Sequence, residues 1–189
     1  ATENFDTATF HIQYCLYFIK KFVSGKVLEV GAGCGSFTKN YFNKNYQLTL
    51  TEVDKKNFDD LKEKFKNFEN IKVENSQIDA ISGKFNSILY LHVLEHIQDD
   101  YKELDNAIKK LENNGYLIIM APAHQKIYGN LDKAVGHFRR YEKEFFKKDL
   151  LGLKRIKFIS LDSVGYFLYF LNKFFFKEEV YPSNLKIFL

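Results

Sequence analysis

The chain has no tryptophan, one methionine, two prolines and two cysteines in 189 residues. Cys15 and Cys34 form neither a CxxC pair nor a disulfide framework, so a reducing cytoplasm is the expected setting. Pro122 and Pro182 stand alone, with no Pro/Ser-rich linker and no internal repeat, and the length suits one domain with a sizeable core, residues 1–189. The net charge is only +4, from 28 basic and 24 acidic residues, too evenly spread to expect nucleic-acid binding. No basic segment followed by an apolar run opens the chain, so no signal peptide is expected, and Ala1 in place of Met suggests a trimmed N-terminus. The longest apolar run, "GYFLYFLNKFFF", is interrupted by Asn172 and Lys173 and falls short of the ~20 residues a membrane helix needs. Membrane insertion is therefore not expected. A buried helix or pocket wall is the favoured reading of that run, and a lipid-facing surface is the alternative.

What the chain does have is aromatic content, 17%, carried by 20 Phe and 12 Tyr. From Lys26 onward, short apolar runs alternate with amphipathic stretches, the pattern of an α/β domain with a doubly wound, mainly parallel sheet. The expected strands are "KVLEV", "YQLTLT", "IKVEN", "FNSILYL", "YLIIM" and "LKRIKFISL". "GSFTKNYF" should open the helix after the first strand, and "KNFDDLKEKF" should form the next one. "DDYKELDNAIKKL" places Tyr101, Leu104, Ile108 and Leu111 on one helical face, with Asn114-Gly115 ending that helix. Residues 1–24 read as an N-terminal helical cap. Residues 121–145 and 163–189 read as segments that line or cover a pocket. Such a sheet binds ligands at the carboxyl ends of its central strands.

"VLEVGAGCG" runs a strand into three glycines. Its GxGxG spacing departs from the dinucleotide pattern GxGxxG, whose third glycine would fall at Ser36. Glu29, two residues before the first glycine, would repel a pyrophosphate and suits a ligand with an ammonium or sulfonium charge. Glu52, at the end of the second strand, can accept both hydroxyls of a ribose. Asp79 can accept from an adenine amino group. A ligand with adenine, ribose and a cationic amino-acid tail satisfies all three acids.

Together "VLEVGAGCG", "TEVD", "QIDA" and "LHVLEHI" resemble the successive motifs of class I S-adenosylmethionine-dependent methyltransferases, over roughly Lys26 to Leu161. The resemblance implies a Rossmann-like fold and S-adenosylmethionine as cofactor. It places Gly31, Ala32 and Gly33 against the cofactor's methionine part, and Glu52 on the ribose with Val53 beside the adenine. Ile78 and Asp79 would border the adenine, and Leu91 with His92 would floor the site near the methyl group. The amino-methylating nucleic-acid enzymes of this class carry an (N/D)PPY-type segment where this chain reads "LHVLEHI", which argues against a DNA or RNA acceptor.

"YGNLDKAVGHFRRY" resembles a bacterial subgroup associated with surface polysaccharides and small metabolites. The expected acceptor is a small anionic molecule, such as a nucleotide-linked sugar, a phosphorylated metabolite or a polysaccharide precursor, with O-methylation preferred. His137 is the candidate base, with His124 second. Tyr128, Arg139, Arg140 and Tyr141 are candidates for holding the acceptor, since paired guanidiniums bind phosphate or carboxylate bidentately. The competing reading has Arg139 and Arg140 capping a helix or pairing with acids such as Asp132.

On a helix, His92, Glu95 and His96 would share one face and could hold a divalent metal, with His137 or His124 as fourth ligand. Some class I enzymes acting on quinone precursors or small-RNA ends resemble this, with an acid where this chain has His92. The favoured expectation assigns no metal, and a metal-assisted methyltransferase acting on a catechol-like or RNA-end hydroxyl is the alternative. A non-catalytic cofactor-binding scaffold subunit is the non-enzyme alternative. Class I enzymes usually add a seventh, antiparallel strand, which this chain does not clearly supply. A truncated end is therefore expected, with homodimerisation covering the exposed edge of strand six.

Overall fold

The computed structural model describes residues 9–146 and 149–160, which divide into two compact units. One contains the described residues up to Leu94 together with Asp99–Met120, and the other contains Glu95–Gln98 and the described residues from Ala121 onward.

The first unit is built on a five-stranded sheet: β1 (Lys26–Val30), β2 (Gln47–Thr51), β3 (Ile71–Glu74), β4 (Phe85–Leu91) and β5 (Leu111–Met120). All pairings are parallel and the order is β3-β2-β1-β4-β5. The chain winds outward from β1 to β3, then crosses back to place β4 on the other side of β1. The carboxyl ends of β1 and β4 therefore flank the point where winding reverses, where such sheets open a ligand crevice. β1 and β4 are near-continuous apolar runs because both sheet faces are covered. Val27, Leu28, Ile88 and Leu89 are fully buried, each contributing roughly 2 kcal/mol of apolar burial.

Helix α1 (Thr9–Ile19) turns Ile12, Cys15 and Leu16 inward at helical spacing and packs on α2 (Thr38–Tyr41). α2 is a single turn, shorter than the sequence pattern suggests. α3 (Lys55–Phe65) starts at Asp54, whose carboxylate accepts from Asn57 N–H at 2.9 Å, and buries Leu61 and Phe65 one turn apart. α4 (Asp100–Lys109) is capped by Asp99 in the same way at 3.1 Å. Its buried residues include Leu104 and Ala107, while Tyr101 is exposed, so the apolar face is narrower than expected.

Two expectations are corrected. Asn114-Gly115 does not end α4. It lies within β5, where the register slips between Phe85↔Leu111 and Ser87↔Tyr116, and Asn114 takes φ 63° to make the bulge. The sixth strand from "LKRIKFISL" does not form. Leu153–Lys154 (β7) pairs instead with Asp149–Leu150 (β6) in a two-residue antiparallel hairpin, and 155–160 carry no strand. Leu151 and Gly152 both have positive φ (50° and 83°), the requirement of a tight hairpin turn. Ile156 and Phe158 beyond it are exposed, so no covered face holds that segment extended. "GYFLYFLNKFFF", "LKIFL" and segment 163–189 lie outside the described residues. Among the described residues, no helix is long and apolar enough to cross a membrane.

Candidate active site

β1 ends at Val30 and passes directly into the glycine turn. Ala32 N–H donates to Thr51 carbonyl at 2.8 Å, anchoring the turn to the end of β2. Glu52 completes the anchor: one carboxylate oxygen accepts from Gly33 N–H and the other from Asp54 N–H, both at 2.8 Å. The three glycines do different work. A Cβ at Gly31 would lie 2.9 Å from Val93, and one at Gly35 would lie 2.7 Å from Phe65, so these two permit close packing. A Cβ at Gly33 would meet nothing within 4 Å, and this residue has φ 56°. Gly33 is thus the glycine that faces open space.

Glu29 behaves differently from the sequence expectation. It is 2% exposed, and its Oε2 accepts from Thr38 Oγ1 at 2.6 Å and from Tyr41 OH at 2.7 Å. Burial pushes its carboxyl up to about 7 against the lowering effect of those two hydroxyls. The carboxylate joins β1 to α2, and the contacts found for it lie inside the protein. Tyr41 is held well above the ordinary phenol range, by burial first and the Glu29 charge second.

Val53 follows Glu52 and is exposed, offering an apolar surface beside that acid. Ile78 and Asp79 lie in a 3-10 turn, Ile78 buried and Asp79 exposed. Leu91 is buried at the end of β4, and His92 follows with φ 59°, its N–H donating to Met120 carbonyl at 2.8 Å. The expected helix carrying His92, Glu95 and His96 is absent. His92 sits in a left-handed turn and Leu94–His96 form one 3-10 turn, so the three do not share a helical face.

The second unit gathers a different set. α5 (Asn130–Ala134) supplies Asp132, which is fully buried. Asp132 Oδ1 accepts from His137 Nδ1 at 2.9 Å and from Arg140 Nε at 2.8 Å, while Oδ2 accepts from Gly129 N–H at 3.0 Å. Burial pushes the Asp132 carboxyl up, but the His137 bond and the Arg140 guanidinium outweigh it and hold it below the usual range. An ionised carboxylate can only accept, so His137 carries its proton on Nδ1 and Nε2 holds a lone pair in the neutral ring. His96 is fixed the same way, its Nδ1 lying 3.2 Å from Gly136 carbonyl. The rings of His96 and His137 meet edge to face at 4.7 Å, and Glu95, His96 and His137 bring one ligand atom each within 4.8 Å of one another.

Several expected acceptor-holding residues have structural roles here. Arg140 is 7% exposed, and its Nε donates to Asp132 in a buried ion pair, the pairing that the competing reading expects. Tyr141 is buried against Phe145 and Phe146, its backbone bridging Ala123. Tyr128 donates its hydroxyl to His137 carbonyl at 2.7 Å, and Arg139 donates to Gln98 carbonyl at 2.6 Å. His124 is exposed at φ 67°, with its N–H on Tyr141 carbonyl.

A family model described as a methyltransferase domain matches residues 11–160. The chain belongs to the methyltransferase domain family. Solved structures agree in fold: the YcgJ protein of Bacillus subtilis superposes with TM-score 0.62 at 17% identity, over 72% of this chain and 64% of that one. The N-methyltransferase NodS of Bradyrhizobium japonicum, solved with S-adenosylhomocysteine, gives 0.54 at 19% identity, over 72% and 67%. The glycopeptide N-methyltransferase MtfA, solved with S-adenosylmethionine, gives 0.52 at 16%, over 61% and 56%. The chain thus spans less than two thirds of the length of YcgJ and MtfA. No curated protein matches it in sequence.

The residues of this methyltransferase domain fit a nucleoside ligand. Gly33 leaves space that a side chain would fill, and Glu52 presents a carboxylate with two of its roughly four acceptor positions in use. Sequence reasoning underrated Asp132, naming it only as a possible partner. It also missed Thr38, Tyr41 and Gln125, whose Oε1 accepts from Arg140 N–H at 2.8 Å. One signal was available: Asp132 stands three residues after Gly129, the place of a helix-start acid.

Proposed function

We propose that this methyltransferase domain moves a methyl group from S-adenosylmethionine to a hydroxyl oxygen of a small-molecule acceptor. The observation that carries the cofactor assignment is the open space at Gly33, bound through its own N–H to Glu52 at the end of the next strand. S-adenosylmethionine supplies a sulfonium-activated methyl carbon. In this reading Gly31, Ala32 and Gly33 border its methionine part, Glu52 holds the ribose, Val53, Ile78 and Asp79 border the adenine, and Leu91 with His92 floor the methyl end. Residues 1–24 cap the domain, and residues 121–145 form its acceptor-binding segment.

An alcohol or phenol attacks only after its proton is drawn away, and His137 is the residue that suits this. With Nδ1–H on Asp132, its Nε2 is the atom that meets the hydroxyl, either to take the proton or to hold a cation that acidifies it. The new O–C bond forms as the C–S bond breaks, its electron pair neutralising the sulfonium. Recognition of an anion by paired guanidiniums finds no support in the geometry, since Arg140 is ion-paired to Asp132. The acceptor is therefore proposed by its hydroxyl, not by its charge. A polysaccharide precursor, as the "GHFRRY" resemblance implies, is one such molecule.

Calorimetric titration of the full chain with S-adenosylmethionine, S-adenosylhomocysteine and NADH tests the cofactor. The first two should bind and NADH should not. Glu52→Gln should weaken binding at least about tenfold, since a side-chain amide can accept only one of the two backbone N–H bonds. Folded protein that binds none of the three overturns the reading.

A further inference from the structure

We infer that Glu95, His96 and His137 form a binding site for one divalent transition-metal ion of the zinc type. The inference rests on the proposed hydroxyl methylation for its purpose but on the second unit alone for its geometry.

Three features carry it. The first is convergence: one ligand atom from each residue lies within 4.8 Å of the others, from chain positions some forty residues apart. The second is proton placement. Gly136 carbonyl and Asp132 each accept from an Nδ1, so a lone pair on either ring lies on Nε2. A carbonyl or carboxylate behind a ring nitrogen is how metal-binding histidines are oriented. The third is solvent access with a buried carboxyl group behind it: His96 is exposed and His137 partly buried, while Glu95 is fully buried. Asp132 does not compete as a ligand, because both of its oxygens are occupied by His137, Arg140 and Gly129. Its ion pair with Arg140 also limits the negative charge behind His137.

Two imidazoles and one carboxylate suit zinc, cobalt, manganese or ferrous ions over magnesium, which prefers oxygen ligands alone. Three protein ligands leave a position open, as in catalytic and not structural zinc sites. A hydroxyl at that position would lose its proton to solvent more readily, which is the chemistry a bound ion would supply to the methylation proposed above. His137 then acts as a ligand. The plain structural alternative is that His96 and His137 merely stack.

The test uses the full chain, stripped with chelator and titrated with Co²⁺, Zn²⁺ and Mg²⁺. Visible ligand-field absorption reports Co²⁺ coordination, calorimetry reports stoichiometry, and circular dichroism checks the fold. One Co²⁺ or Zn²⁺ per chain is expected, with Mg²⁺ binding at least tenfold more weakly. His96→Gln and Glu95→Gln should each weaken Co²⁺ binding at least tenfold. His96 is exposed, so its variant remains informative if Glu95→Gln does not fold. No stoichiometric binding by folded protein, or binding indifferent to His96→Gln, overturns the site. Parallel titration with S-adenosylmethionine separates the two proposals. Cofactor binding without metal binding removes only the metal site, and the reverse removes only the methylation reading.

Discussion

His137 donates its Nδ1–H to Asp132 over 2.9 Å, on the same oxygen that accepts from Arg140. One buried carboxylate therefore orients an imidazole and neutralises a guanidinium. Asp132→Ala should destabilise the chain by about 3–5 kcal/mol in urea unfolding, because it leaves Arg140 buried without its counter-charge. A loss below about 1 kcal/mol would show that the pair is not buried as described.

The same carboxylate gives stability an acid limb. Its folded pKa lies below the ordinary value, so its contribution is fully present above pH ~4 and is lost as pH falls through the depressed folded value. Unfolding free energy measured from pH 6 downward should fall more steeply in the native sequence than in Asp132→Asn. Equal slopes would remove the ion pair as the cause.

Glu29 works with the opposite sign. Its folded pKa of about 7 exceeds the ordinary 4.5, so folding holds on to a proton that the unfolded chain releases. Its effect on stability is neutral below pH 4.5, grows unfavourable between 4.5 and 7, and is level above that. Over that window Glu29 should subtract roughly 3 kcal/mol. Glu29→Gln keeps an oxygen for Thr38 and Tyr41 and should flatten the decline, as measured by denaturant midpoints at several pH values.

The glycines of the turn should separate folding from binding. Gly31→Ala places a Cβ 2.9 Å from Val93 at φ 65° and should lower the melting temperature markedly. Gly33→Ala meets no atom, so it should destabilise the protein by only about 1 kcal/mol of backbone strain. Calorimetry should nevertheless find its S-adenosylmethionine affinity reduced at least tenfold. Native-like binding by Gly33→Ala would mean that the ligand does not lie over this residue.

β1 and β4 were legible because parallel strands covered on both faces read as largely apolar runs, whereas the edge strand β3 showed itself by alternation, apolar Ile71 and Val73 against charged Lys72 and Glu74. Arg140 was legible only as an open choice between holding an acceptor and pairing with an acid such as Asp132. A charged residue in sequence defaults to solvent, and its burial depends on Asp132 arriving from eight residues earlier in the chain. The sixth strand misled because "LKRIKFISL" alternates apolar and basic residues convincingly, whereas the Leu151-Gly152 turn closes a shorter hairpin locally. The cluster in the second unit was half visible. Glu95, His96 and His137 could each be singled out, but a helical spacing assigned His92 to them, and the positive φ of His92 breaks that helix.

His92 and His124 both occupy backbone conformations in which glycine is at ease, with φ of 59° and 67°. Each forgoes about 1 kcal/mol that a glycine would have kept. At these two strand-end turns the fold has accepted an ill-fitting main chain and retained an imidazole. Stabilising variants selected by heat alone should therefore discard these rings first, and a more durable protein could emerge with its chemistry thinned.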